Sequence, residues 1–482
     1  MTKKVFAAIL LVTLLQGLHA QTKGYTPKIE PCACAFKADS SLKTTCGYLI
    51  VPENRSRPAG KTIKLPFIYV HSNNPNKKKD PVLYTTGGPG GSSLRPVRNI
   101  HRRSLIADRD FIAFEQRGTQ YAVPCLNCDE INTAIKYAYR NNLPKDSLIM
   151  EAARHCRQRL EGEGIDLSAY NTVESAADIE DLRRALKIDS LNLMGISYSG
   201  GLLMTVLHNY PAGIRSLILD SPLPEFINID EDELANFNEA LKTIFAKSRT
   251  DSANQVLYGN LEERFKEYLS SIGNKTFSLA YQEKGTGKTL NIHYGRNELL
   301  DIIENSIFDF SSIKDVPAII NDFISGNHQP YMQAYFDGVF QSSGATSGMR
   351  LSVYCSDKMA YARDKVINQQ YMLYPYMSGY HINDVYRGLC KCWQVPAIAP
   401  QTKMPFYADV PVLLAAGDTD PACRPLYNDM IHHYMPNSQR LLFTGKSHGP
   451  MLNTREGDVF IGAFLDNPYQ KLTSTVKDVI VY

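Results

Sequence analysis

Leu191-Asn192-Leu193-Met194-Gly195-Ile196-Ser197-Tyr198-Ser199-Gly200-Gly201 runs from an apolar strand through G-x-S into a helix. Residues 191–194 form a short buried-type run, and residues 202–209 continue as a helix. A serine on so sharp a strand-to-helix turn is crowded by backbone, so its neighbours must be small. Gly195 precedes it, and Ser199, backed by Gly200 and Gly201, fills the second small position. Such a turn presents the Ser197 hydroxyl at the carboxyl end of a strand, where open α/β sheets place their sites.

Outward from this stretch, strands and helices alternate. Residues 47–51, 62–70, 82–86 and 111–114 read as strands. Residues 175–186 have helical spacing through Ala176, Ile179, Leu182 and Leu186, with acids early and arginines late, as the helix dipole favours. Residues 216–219 form the next strand. The alternation stops near Pro222-Leu223-Pro224 and gives way to a helix-rich, tyrosine-rich, irregular stretch. It resumes with a strand at 410–415, a helix at 427–433, a strand at 440–443 and a helix after Arg455. The pattern predicts an α/β fold, a doubly wound and mostly parallel sheet with a helical insertion. Residues 21–222 and 404–482 would form the core in two segments, and residues 223–403 a helical cap.

Residues 1–20 read as an export signal. Lys3 and Lys4 precede an apolar run from Val5 to Leu15, and Leu18-His19-Ala20 offers a small-residue cleavage site near Ala20. The run is well short of the ~20 residues a membrane span needs, so no stable membrane insertion is expected and the destination is periplasmic or extracellular. The formal charge of +3 falls to +1 once Lys3 and Lys4 are removed. With no long basic run, nucleic acid is not an expected partner. At 44% hydrophobic and 21% charged residues, the composition excludes a disordered chain. Among the ten cysteines, Cys125 and Cys128 have C-x-x-C spacing but lack the second pair that a zinc site needs. Structural disulfides are the better reading: one of Cys32/Cys34 with Cys46, one of Cys125/Cys128 with Cys156, and Cys355 with Cys390 or Cys392. No metal or cofactor is expected.

Three other places support Ser197 as a reacting group. Thr85-Thr86-Gly87-Gly88-Pro89-Gly90-Gly91 follows a strand, and bare backbone there can turn N–H groups toward a developing oxyanion. Asp420 stands after the strand of 410–415, in Gly417-Asp418-Thr419-Asp420-Pro421. His448 stands after the strand of 440–443, in Gly445-Lys446-Ser447-His448-Gly449. A serine hydroxyl is a weak nucleophile and needs a base. An imidazole titrates near neutrality and can serve, and a carboxylate fixes its tautomer and stabilises its cation. Asp420 is preferred for the acid, with Asp418 as a turn residue.

On these residues the chain resembles the prolyl-iminopeptidase and tripeptidyl-aminopeptidase family of α/β-hydrolases. Gly87-Gly88-Pro89-Gly90, Glu115-Gln116-Arg117-Gly118-Thr119, Gly195 to Gly200, Gly417 to Pro421 and Gly445 to Gly449 match its motifs in order. Val51-Pro52-Glu53-Asn54, Val353-Tyr354-Cys355-Ser356-Asp357 and Cys390-Lys391-Cys392-Trp393 resemble its secreted branch. Thr86, Glu115, Gln120, Ser199 and Ser447 depart from it. The resemblance implies Ser197 as nucleophile, Asp420 as orienting acid and His448 as base. It also implies an oxyanion hole from the N–H groups of Tyr198 and Gly88 or its neighbour Gly87, with Arg117 anchoring the glycine loop. It implies peptide substrates with a free N-terminus, whose amine meets carboxylates in the cap. The obvious acids are Glu225, the run Asp230-Glu231-Asp232-Glu233, and Asp357; the run reads as a helix start, which leaves Asp357 and Glu225 as the expected contacts. The cap tyrosines Tyr331, Tyr335, Tyr371, Tyr374 and Tyr376 read mostly as cap core. Gly285-Thr286-Gly287-Lys288-Thr289 resembles the end of a P-loop, but Gln282 stands where its first glycine belongs and no strand precedes it. The expected activity is that of an exported serine aminopeptidase. The alternative is a small-ester or lipid hydrolase using the same three residues.

Overall fold

The computed structural model describes residues 25–250, 252–342 and 347–482, so the export signal read at residues 1–20 lies outside the described residues. Twelve strands are present among them: β1 (Lys28–Pro31), β2 (Thr44–Pro52), β3 (Thr62–Val70), β4 (Val82–Thr85), β5 (Phe111–Phe114), β6 (Leu191–Ile196), β7 (Ile214–Asp220), β8 (Phe277–Gln282), β9 (Thr289–Tyr294), β10 (Val412–Gly417), β11 (Ser438–Phe443) and β12 (Val479–Val481). Ten of them form one sheet in the order β1-β2-β3-β5-β4-β6-β7-β10-β11-β12. The strands from β5 to β11 in that order are parallel, while β1, β2 and β3 at one edge and β12 at the other are antiparallel.

The inner strands read as near-continuous apolar runs because both faces of the sheet are covered. Side chains alternate along a strand. Leu217 and Leu219 of β7, with Leu414 of β10, join the core on one face. Ile218 and Leu413 join the core on the other. Helices Thr172–Ala185, Tyr198–Asn209 and Pro425–Tyr434 close the first face through Ile179, Leu202 and Ile431. Helix Arg455–Asp466 closes the second through Phe460, Ile461 and Phe464. Each fully buried side chain of this size contributes roughly 1.5–3 kcal/mol relative to exposure.

Between β7 and β10 the chain builds a second body with its own core, including Phe237, Leu241, Phe265, Leu300, Ile303, Phe336 and Tyr376. Tyr331, Tyr335, Tyr371 and Tyr374 pack around this core half-buried. Helices Asp129–Asn141 and Lys145–Gly162, absent from the sequence reading, lie before β6, and Tyr139 of the first packs into the inserted core. The antiparallel hairpin β8–β9 was also unmarked. Its turn contains Gly285 and Gly287 at φ 84° and 67°. A strand, β8, does precede the segment resembling a P-loop, contrary to the sequence expectation, but the segment is a hairpin turn that leads into β9 and not into a helix. Disulfides join Cys34 to Cys46, Cys128 to Cys156 and Cys355 to Cys390, one pairing from each set of alternatives.

Candidate active site

Ser197 stands between β6 and helix Tyr198–Asn209 at φ 61°, ψ −129°, a left-handed backbone that a side chain rarely adopts. The surroundings enforce it. Ser197 N–H donates to the carbonyl of Asp220 at 3.1 Å, and its own carbonyl accepts from Leu223 N–H at 3.0 Å. A Cβ at Gly200 would stand 2.5 Å from Pro222 Cβ, so only glycine lets that turn close. Ser199, the departure from a second glycine, is used: its hydroxyl accepts from Ile196 N–H at 2.7 Å and lies 3.0 Å from the Thr85 carbonyl.

His448 follows β11, and its Nδ1 lies 2.8 Å from Asp420 Oδ2. The other carboxylate oxygen of Asp420 accepts from Ala422 N–H and Cys423 N–H, both at 2.9 Å. A carboxylate on Nδ1 fixes the proton there and leaves Nε2 as the acceptor. Burial alone would lower the His448 pKa, but Asp420, assisted by Asp220, more than offsets this and raises it. Phe308, from the inserted body, packs edge-on against the imidazole at 5.2 Å. Asp418 is a turn residue, accepting from Gly445 N–H and pairing with Lys247.

The glycine loop after β4 lies against the serine: a Cβ at Gly87 would stand 2.7 Å from Ser197 Cβ. The N–H groups of Gly87, Gly88 and Tyr198 have no acceptor among the described residues. Tyr198 also opens a helix, whose dipole favours negative charge at that end. The loop is held differently from the sequence expectation. Glu115 accepts from Ser92 Oγ and Ser93 N–H, and Gln116 Nε2 donates to the Thr86 carbonyl. Arg117 instead turns away, forms a bidentate pair with Asp178 and donates to the carbonyls of Glu53 and Ala169. The strand β5 ends at Phe114, so strict alternation no longer applies: Glu115 and Gln116 both reach the loop, and Arg117 reaches Asp178 of helix Thr172–Ala185. From the inserted body, Arg350 Nη1 donates to the Gly88 carbonyl at 2.5 Å.

Ser197, His448, Gly87 and Gly88 line one cavity of about 380 Å³. Phe308, Tyr354 and Leu223 give it apolar walls, and Glu233 and Glu304 also line it. Glu233 accepts from Asn383 N–H at 3.1 Å. Neither acid forms an ion pair among the described residues. Burial pushes Glu304 up to about 8, reinforced by Asp301 and Asp384 and partly opposed by Arg350, which lines the same cavity but is paired with Asp384. Burial and then Asp230 hold Glu233 well above the usual carboxylate range.

Asp357 and Glu225, the acids expected to meet the substrate, do not line this cavity. Both are buried behind Tyr198. Asp357 accepts from Thr172 N–H at 3.0 Å and from the Thr172 hydroxyl, which in turn bonds the Tyr198 hydroxyl at 2.8 Å. Glu225 is paired with Lys358 at 3.0 Å and Lys403 at 3.3 Å, which outweigh the effect of burial and lower its pKa. Glu233 belongs to the acidic run read as a helix start, and it does open helix Glu233–Ser248. Glu304 was not marked. The available signal was its place one turn before Phe308, between Ile303 and Ile307 of an apolar stripe.

Residues 80–453 match the family described as alpha/beta hydrolase fold. A tripeptidyl aminopeptidase of Streptomyces lividans is 23% identical over 347 residues, covering 68% of this chain and 63% of that protein. The chain therefore spans a little under two thirds of that relative. Serine protease Hip1 of Mycobacterium tuberculosis is 22% identical over 421 residues, covering 78% of this chain and 76% of that protein. A crystal structure of proline iminopeptidase from Mycobacterium smegmatis aligns with a TM-score of 0.37 at 12% identity, over 88% of this chain and 98% of that one.

Proposed function

The chain belongs to the α/β-hydrolase fold family, and from that premise we propose that it is an exported serine aminopeptidase of the prolyl or tripeptidyl type. Ser197 Oγ attacks the scissile carbonyl while His448 Nε2 takes its proton, then returns that proton to the leaving amine. Asp420 holds the imidazole and stabilises its cation. The N–H groups of Tyr198 and Gly88 receive the oxyanion. Water then attacks the acyl-enzyme by the same route in reverse order. Residues 223–403 act as the cap that closes the site, with Phe308 and Arg350 reaching down to it.

The observation that carries the reading is the presence of Glu233 and Glu304 in the cavity of Ser197 and His448, without a paired cation. Two desolvated carboxyls with raised pKa values and no bonded cation would be charged by a cation that a substrate brings, and a free N-terminal ammonium is such a cation. We assign the amine contact to these two rather than to Asp357 and Glu225. Export is supported by the basic-apolar start of the sequence and by the three disulfides. No helix among the described residues is long and apolar enough to cross a membrane.

A panel of free and N-blocked aminoacyl and tripeptidyl chromogenic substrates tests the proposal. Cleavage restricted to free N-termini is expected. Equal activity on blocked peptides would remove the aminopeptidase claim, and faster turnover of p-nitrophenyl esters than of any peptide would favour the ester-hydrolase alternative. Ser197→Ala should abolish fluorophosphonate labelling and reduce turnover by several orders of magnitude.

A further inference from the structure

The segment Asp220-Ser221-Pro222-Leu223, at the end of β7, takes no part in the chemistry proposed above, yet it contacts the turn of Ser197, the strand that leads to Asp420 and the loop of His448. Its backbone brackets the nucleophile: the Asp220 carbonyl accepts from Ser197 N–H, and Leu223 N–H donates to the Ser197 carbonyl. Ser221 N–H donates to the Ala415 carbonyl at 2.8 Å, in β10, the strand that leads to Asp420. Its side chains hold the histidine loop. Gly449 N–H, next to His448, donates to Ser221 Oγ at 2.9 Å, and Leu452 N–H donates to Asp220 Oδ2 at 2.7 Å. Both residues are fully buried, and Ser221 takes a left-handed backbone at φ 46° that a serine adopts only where its surroundings demand it.

Asp220 has a second peculiarity. Its Oδ1 is buried and has no hydrogen-bond partner, no cation pairs with it among the described residues, and burial pushes its carboxyl up to about 7, so it is the nearby imidazolium that favours its charged form. A merely structural helix-start acceptor would be served as well by a neutral side chain. A bare carboxylate oxygen in the core is costly unless its field is used. The ionisable groups facing it are His448 and Asp420 from the two adjacent loops and Tyr84 from β4. Arg103 stands further out, donating to the Leu452 carbonyl and paired with Asp458 of helix Arg455–Asp466. Of these groups, the imidazole is the one that gains positive charge during acylation.

We propose that Asp220 and Ser221 are positioning residues for His448: they fix the spacing between nucleophile and base, and Asp220 is a second carboxylate, beside Asp420, that stabilises the imidazolium formed during the reaction. The field of Asp220 raises the His448 pKa, in the same sense as Asp420. The inference rests on Ser197 and His448 as the reacting pair, which fluorophosphonate labelling of the unaltered protein tests separately.

Two variants test it, each followed by labelling rate and by hydrolysis across pH. Asp220→Asn keeps the acceptor for Leu452 N–H but removes the charge. It should lower kcat and the labelling rate about tenfold with KM within twofold, and move the acidic limb of kcat to lower pH because His448 loses a neighbouring negative charge. Ser221→Ala removes only the hydroxyl that holds Gly449, and should lower kcat several-fold with the limb unmoved. An unmoved limb in a folded Asp220→Asn protein would overturn the electrostatic part. Wild-type kcat in Ser221→Ala would overturn the positioning part, and should Asp220→Asn fail to fold, Asp220→Ser, a smaller neutral acceptor, decides the electrostatic part by the same shift of the limb. Absence of labelling in the unaltered protein would instead refute the underlying assignment of Ser197.

Discussion

Two pairs of acids lie near Ser197, and they differ in what stands opposite them. Glu225 faces Lys358 and Lys403, so its charge is answered from within the chain, and Asp357 beside it is held by the hydroxyls of Thr172 and Ser356, its carboxyl pushed up to about 6 by burial and by Glu225. Glu233 and Glu304 border the cavity with no bonded cation. A buried carboxylate with a resident cation serves architecture: here it ties the inserted segment to the loop behind Tyr198. A buried carboxylate without one stores an unsatisfied demand that a ligand can meet. Proximity to a nucleophile does not separate the two cases, but charge balance does.

Breaking the balanced pair should have the largest effect, and on stability. Lys358→Met removes the nearer cation and leaves Glu225 with Lys403 alone, and chemical denaturation should show a loss of about 3 kcal/mol. Breaking the unbalanced pair should act on substrate. Glu233→Gln with Glu304→Gln should lower kcat/KM on free-amine peptides about a hundredfold, about 2.7 kcal/mol, while p-nitrophenyl ester hydrolysis stays within a few-fold. An equal loss on both substrates would dissolve the distinction between the pairs.

The pH profile sharpens the same contrast. Glu304 titrates near 8, so it must lose its proton to receive an ammonium, whereas a peptide's α-amine loses its own near 7.7–8.0. The kcat/KM of free-amine peptides should therefore rise roughly threefold from pH 7 to 8 and fall again by pH 9. An ester without an amine should reach a plateau instead, set by neutral His448. The smallest effect belongs to Glu225→Gln: KM for a free-amine peptide should stay within about twofold, since the altered group is not exposed to the cavity. A tenfold rise would return Glu225 to the role first expected of it.

The contrast also explains what the sequence could and could not reveal. The turn at Ser197, the strands around it and the loops of Asp420 and His448 depend on neighbours within a few residues, and periodicity and glycine placement expose them. The three disulfides were legible only as alternatives, because one or two residues of spacing decide which sulfur faces its partner. The acids proposed to meet the amine were not legible. Glu225 looks available until Lys358 and Lys403 arrive from distant parts of the chain, and Glu304 looks like an ordinary helix acid until the helix is laid over the cavity. The role expected of Arg117 passed to Glu115 and Gln116 for a similar reason: the groups that hold its guanidinium, Asp178 and the carbonyls of Glu53 and Ala169, arrive from distant parts of the chain. Helices Asp129–Asn141 and Lys145–Gly162 went unmarked although each carries an apolar stripe, Ile131, Ala134, Ile135, Ala138 and Tyr139 in the first and Ile149, Ala152, Ala153, Cys156 and Leu160 in the second; no N-capping side chain sets them off, and the first is half-exposed over most of its length.

The bond from Arg350 to the Gly88 carbonyl has an implication for how such enzymes diversify. A lid that only roofed the cavity could be exchanged between relatives as a module, changing selectivity and leaving the chemistry alone. Here the insertion holds one peptide group of the loop beside the nucleophile, so a transplanted insertion must bring its own donor to that carbonyl or leave the loop unheld. Selectivity and turnover are then inherited together, and lineages of this architecture would exchange whole chains more readily than parts.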